Sequence, residues 1–99
     1  MGPEFEWDAG KAAGNFKKHG VSFEEALTVF ADPLASIFTD ADHANEEKRE
    51  LMIGHSTEQH LLIVSFTERD GRVRIIGARN VTARERRDYE QNTKKNAQG

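Results

Sequence analysis

Cysteine is absent from the 99-residue chain. That excludes a disulfide framework, a thiolate zinc site and a cysteine nucleophile. No apolar run approaches the length of a membrane span. The N-terminus is polar and acidic and lacks a signal-peptide pattern, so the expected location is the cytoplasm. His19, His43, His55 and His60 are not at the HExxH spacing of a helical zinc site. Asp40 and Asp42 are spaced like the start of a calcium loop, but no glycine and terminal glutamate follow in register. A Gly-rich phosphate loop and an internal repeat are also missing. A protein working without metal or cofactor is therefore expected. Apolar residues make up 36% of the chain and charged residues 31%, which implies a lean core under a very polar surface. This length supports one domain, placed at residues 5–92 between flexible termini at 1–4 and 93–99.

What the chain does have is arginine, concentrated in residues 72–89 (RVRIIGARNVTARERRDY). Six arginines face only Glu85 and Asp88 there, a local balance of +4 in a chain of net charge −3. A basic segment on an acidic protein suggests a polyanion-binding face. A solvated helix face with pairs such as Arg84 and Asp88 would show the same composition.

The order of elements follows from caps and turns. Asp8 can cap a helix over 9–18, with Lys17, Lys18 and His19 in its last turn and Gly20 as its left-handed stop. Ser22 and Glu25 form a capping box for a second helix, with Phe23, Leu27 and Phe30 as its apolar stripe, and Asp32-Pro33 ends it. Strands are expected over 34–39, 48–56, 61–69 and 72–78, after a short extended lead-in at Phe5 and Trp7. Residues 40–47 read as an acidic loop. Asp70-Gly71 is a strong two-residue hairpin turn. Thr82 and Glu85 form a second capping box, opening the last helix. The expected fold is α+β, in the order α-α-β-β-β-β-α, with an antiparallel four-stranded sheet covered by helices.

Directly opposed residues share a sheet face. If Arg69 pairs with Arg72 and Ser56 with Leu61, one face carries Leu51, Ile53, Leu62, Val64, Phe66, Val73 and Ile75. The other carries Lys48, Glu50, Met52, Ser65, Thr67, Arg69, Arg72, Arg74 and Ile76. This register sets Thr67 opposite both Arg74 and Glu50. It leaves Arg79 and Arg49 at opposite extremities of the core face.

RNA cleavage without a metal needs cations for the phosphate, a base for the 2′-OH proton and an acid or compensating charge for the leaving oxygen. Arginine matches phosphate oxygens with its planar fork. Histidine or glutamate suits the base, and the chain offers His19, Glu47 and Glu50. Each has a plainer reading: His19 as a helix terminus, Glu47 as part of an acidic loop, Arg79 as the partner of Glu85. Trp7 reads as a core anchor.

The motifs FEWD at 5–8, KHGVSFEEA at 18–26, VFADP at 29–33, E-x-R at 47–49, IG at 53–54, TER at 67–69, RIIGAR at 74–79 and ERRDYE at 85–90 together resemble the BrnT family of toxins. The resemblance spans about residues 5–90. It implies a RelE-like fold and a ribonuclease toxin of a type II toxin–antitoxin system that blocks translation. It also implies a BrnA-like antitoxin with a ribbon-helix-helix part, through which operator DNA would be bound. Under it, His19, Glu47, Arg69 and Arg79 become the expected catalytic residues, and Lys18, Arg49, Arg72 and Arg74 the expected RNA contacts. Gly77-Ala78-Arg79 replaces the family's usual SAR, and Asp8-Ala9 its usual Asp-Pro. A non-catalytic RNA- or protein-binding module, or an inactive toxin retained as a co-repressor, would use the same arginines.

Overall fold

The computed structural model describes residues 4–39 and 49–98. Their elements are β1 (Glu4–Glu6), α1 (Ala9–His19), α2 (Phe23–Thr28), a 3-10 turn (Val29–Ala31), β2 (Ser36–Thr39), β3 (Arg49–His55), β4 (Leu61–Arg69), β5 (Arg72–Asn80) and α3 (Ala83–Gln98). The helix ends follow the expected capping chemistry. Asp8 accepts from the Lys11 N–H, and Gly20 closes α1 with φ of 72°. Ser22 accepts from the Glu25 N–H at 3.0 Å. At α3 the box is reciprocal: Glu85 N–H donates to Thr82 Oγ1 at 3.1 Å, and Thr82 N–H to Glu85 Oε1 at 2.8 Å.

The sheet has five strands in the order β1-β5-β4-β3-β2, not four, and it is mixed rather than antiparallel. The expected lead-in is itself a strand: Glu4, Phe5 and Glu6 pair in parallel with Arg72, Val73 and Arg74. This pairing joins segments far apart in sequence, so no turn announces it. Phe5 and Trp7 secure it, their rings meeting Phe30 and Phe23 edge-on at 5.0 and 6.0 Å.

Two register features differ from expectation. The expected pairing of Ser56 with Leu61 is displaced, because Ser56 and His60 close a three-residue turn over 57–59. Gln59 takes a left-handed φ of 68°, and Ser56 N–H donates to His60 O at 2.9 Å. His55, not Ser56, therefore pairs with Leu61, and Arg49, not Glu50, lies opposite Thr67. A one-residue slip exchanges a strand's faces, so Met52 changes places with Leu51 and Ile53. The second feature is a β-bulge. Phe66 pairs with Ile75 but Ser65 with Gly77, which leaves Ile76 as the extra residue of β5. The bulge turns Arg79 onto the same face as Arg72 and Arg74, and not onto the core face that the unbulged register predicts.

Both sheet faces carry a core. Under α1 and α2 lie Val21, Phe23, Ala26, Val29, Met52, Leu62, Val64, Phe66, Val73, Ile75 and Ala78. Under α3, Tyr89 packs on Ile53, Leu61 and Ile63. Gly54 lets the segment between the 3-10 turn and β2 approach closely, since a Cβ there would meet Ala35 Cβ at 2.8 Å. Beyond the end of β1, the Asn15 side chain occupies the edge of β5. Its amide donates to Ala78 O at 2.9 Å and accepts from Ala78 N–H at 3.1 Å. Among the described residues, no helix is long and apolar enough to cross a membrane.

Candidate functional site

Helix α3 covers only one end of its sheet face. At the other end the backbone register lines up two rows of polar side chains. One runs Glu6, Arg74, Thr67, Arg49 across β1, β5, β4 and β3; the next runs Glu4, Arg72, Arg69. Adjacent strands lie about 4.8 Å apart, so the longer row spans roughly 14 Å. The hairpin turn at Asp70 and Gly71 has positive φ at both residues, 53° and 79°, as its type requires. It sets Arg69 directly opposite Arg72. Like charges so placed repel, and a bound anion relieves that cost.

These side chains line an open cleft of about 570 Å³ bounded by Glu6, Thr67, Arg69, Asp70, Arg72 and Arg74. Glu6 bridges two guanidiniums, with Oε2 at 3.1 Å from Arg74 Nη1 and Oε1 at 3.9 Å from Arg72 Nη1. Glu4 approaches Arg72 Nε at 3.5 Å. These side chains are between 40% and 77% exposed, so the pairs are open to exchange with a ligand. Arg69 has no partner among the described residues.

Arg79 stands at the covered end, opposite Ile63. Six β4 positions separate Ile63 from Arg69, roughly 20 Å at strand rise, so Arg69 and Arg79 do not share one small centre. Arg79 grips Glu85 with both ends of its fork, each bond 2.9 Å, and also donates to Asn80 O. The Arg79 hydrogen bonds pull the Glu85 carboxyl down to about 2 against some opposing burial, and the Thr82 N–H and hydroxyl assist. Bonding to Glu85 raises the Arg79 pKa in return. The pairing with Glu85 is thus the observed state of Arg79.

His19 closes α1 and is half-buried; Lys18 beside it is exposed. Asn15, one turn earlier, is bonded at Ala78, which assigns the end of α1 to the Arg79 end of β5. Of the eight expected site residues, the cleft unites Arg69, Arg72 and Arg74, with Arg49 at the end of their row. Lys18, His19 and Arg79 lie apart from it, and Glu47 is outside the described residues. No sequence signal marks Glu6, because its partners on β5 are reached only through the parallel pairing of β1.

A second polar cluster, which no motif in the sequence marks, joins α2 to the end of β3. Ser56, 3% exposed, donates to Glu25 Oε2 at 2.7 Å, and His60 Nδ1 meets the same oxygen at 2.7 Å. Because the Ser56 hydroxyl is turned to a carboxylate and not to a histidine, this is not an activated nucleophile. Nearby, Asp32 accepts the His55 and Leu34 N–H groups at 2.7 and 2.9 Å. Burial opposes ionisation of Asp32, yet those bonds hold its carboxyl below the usual value. Burial and the Asp32 charge push the Tyr89 phenol up. The donors and acceptors satisfy one another, as in a fastening between elements. Among the described residues, no three His, Cys, Asp or Glu side chains converge as metal donors.

Residues 7–85 match the family described as the ribonuclease toxin, BrnT, of type II toxin–antitoxin systems. The fold is similar to that of the Brucella abortus ribonuclease toxin, BrnT, with a TM-score of 0.62 at 24% identity, covering 81% of this chain and 97% of that one. No curated protein sequence matches the chain.

Proposed function

We propose that this chain, which belongs to the BrnT family of ribonuclease toxins of type II toxin–antitoxin systems, holds RNA on the open, arginine-bearing end of its sheet and cleaves it there without a metal. The observation that carries this reading is Arg69 set opposite Arg72, with Arg74 in the adjoining row, in an open cleft. Their guanidiniums bind phosphate oxygens and oppose the negative charge that grows on the phosphorane. The reaction is attack of the 2′-OH on the adjacent phosphate, leaving a 2′,3′-cyclic phosphate and a free 5′-OH. Cleavage of cellular RNA in this way inhibits translation.

Arg69 is the foremost phosphate contact, and Arg49, Arg72 and Arg74 extend the track. Arg79, His19 and Lys18 serve RNA that continues along β5 toward α3, Arg79 only after parting from Glu85. Glu47 remains a candidate proton carrier. A BrnA-like antitoxin with a ribbon-helix-helix part neutralises the toxin by covering the same cations, because masking them both cancels charge and excludes RNA. Operator DNA is bound through that antitoxin alone.

The test is cleavage of a defined RNA by purified Arg69→Ala and Arg74→Ala with melting temperatures matched to the parent, with and without translating ribosomes. Both variants should lose cleavage while remaining folded. RNA that the parent binds but never cuts, under either condition, would replace the enzyme by a binding module.

A further inference from the structure

A general base is still missing from the open cleft, and one carboxylate in it has its position imposed by the fold. We infer that Glu6 is the group that takes the 2′-OH proton in the cleavage just proposed; the inference rests on that reading of the cleft. The parallel pairing of Glu4, Phe5 and Glu6 with Arg72, Val73 and Arg74 sends Phe5 to the core face and Glu6 to the arginine face. Three residues make a weak strand, yet this one is held on both sides of Glu6. Phe5 meets Phe30 edge-on at 5.0 Å, and Trp7 meets Phe23 at 6.0 Å. Aromatic anchors before and after Glu6 fix its place on the strand, while its exposed side chain stays free to part from the guanidiniums.

The chemistry follows from its neighbours. Each Glu6 oxygen faces one guanidinium, Oε2 that of Arg74 at 3.1 Å and Oε1 that of Arg72 at 3.9 Å. The groups facing Glu6 are Arg72 and Arg74 from β5, Arg69 from β4, Asp70 from the turn and Glu4 from β1. Exposed ion pairs contribute little to stability, so stability alone does not account for this arrangement. A phosphate entering the cleft competes for the same two guanidiniums. When they turn to its oxygens, Glu6 is left beside the sugar that carries the 2′-OH. Glu6 takes that proton as the O2′–P bond forms and the P–O5′ bond breaks. The leaving 5′ oxygen receives one proton from water, and Glu6 returns its own to solvent. The net change is one RNA strand converted into a cyclic phosphate end and a 5′-hydroxyl end.

The experiment compares Glu6→Gln, Glu6→Asp, Arg74→Ala and the exposed control Glu24→Gln. It measures single-turnover cleavage of a labelled RNA containing every dinucleotide step, with and without translating ribosomes. Binding is measured separately on the 2′-O-methyl form of the same strand, which cannot be cut. Glu6→Gln should cut about 10²-fold slower or worse, the scale of a lost general base. It should bind the uncleavable strand as tightly as the parent or more so, because a negative charge has been removed. Its residual rate should lose the acid-side fall that a carboxylate base confers, and Glu6→Asp should restore part of the rate. Arg74→Ala should lose binding as well as cleavage, and Glu24→Gln should match the parent. If Glu6→Gln cuts within threefold of the parent while Arg74→Ala fails, the assignment of Glu6 is wrong and the cleft reading stands. If Glu6→Gln and Arg74→Ala both cut like the parent, the cleft reading falls and this inference with it.

Discussion

The two ends of one sheet face put the same residue type to opposite uses. At the covered end Arg79 is held in a two-pronged pair by Glu85, which is itself locked into the first turn of α3. At the open end Arg69, Arg72 and Arg74 face solvent, Arg69 without a partner among the described residues. What separates them is the partner's own freedom. Glu85 is restrained by Thr82 on both sides of the capping box, so Arg79 gains a pre-organised fork-to-fork contact. Glu4 is 77% exposed and Glu6 40%, and exposed pairs of this kind exchange readily with a ligand. An arginine is available for function where its carboxylate partner is loosely held, not where arginines are merely numerous.

Four substitutions would break or sharpen this contrast. The largest effect should come at the covered end from Tyr89→Ala. Tyr89 is 5% exposed and packs α3 onto Ile53, Leu61 and Ile63. Emptying an aromatic site should cost about 3 kcal/mol in denaturant titrations; a loss under 1 kcal/mol would mean that α3 is held elsewhere. At the open end, Arg69→Ala should slow RNA cleavage about 10²-fold, near 2.7 kcal/mol of transition-state stabilisation, with no shift in melting temperature. The opposite outcome, stability lost and cleavage kept, would exchange the roles of the two ends.

Glu85→Gln should cost less, about 1 kcal/mol at neutral pH. Its signature is in acid. The folded Glu85 carboxyl lies at about 2, below its ordinary 4.5. A depressed carboxyl contributes stability that is complete above the unfolded value and is lost as pH falls through the folded one. The gap in stability between parent and variant should therefore narrow between about 4.5 and 2, as denaturation curves at stepped pH would show. The smallest effect belongs to Arg86→Ala. Arg86 is exposed on α3, away from the cleft, so stability should shift by less than about 0.5 kcal/mol and cleavage should stay at the parental rate.

The legible parts of this fold were those with local chemical signatures. Asp8, Ser22 and Thr82 each needed only the next few residues to act as caps, and Asp70-Gly71 defined a hairpin whose register holds from Arg69 and Arg72 up to Phe66 and Ile75. Local signals ended there. Gln59 adopts the left-handed turn position usually taken by glycine, so the loop before β4 read as one residue shorter than it is. Ile75 and Ile76 are chemically alike, and nothing in them marks which one the bulge sets out of step. The same limit governed the site. The arginines lie together on one hairpin, whereas Glu6 joins them through a parallel pairing with a strand far along the chain. Arg79 was recognised as a possible partner of Glu85, but which of its two uses prevails depends on a face assignment that the bulge reverses.

The amide of Asn15 on β5 has a consequence for solubility. β1 is only three residues long and leaves the upper part of β5 with a backbone rim that could recruit a strand from another molecule. Asn15 satisfies both the N–H and the C=O of Ala78, so one side chain acts as a single-residue strand and blunts that rim. A protein made in quantity with this position changed to Leu should keep its fold yet aggregate more readily, because the edge would then be left as an unpaired template.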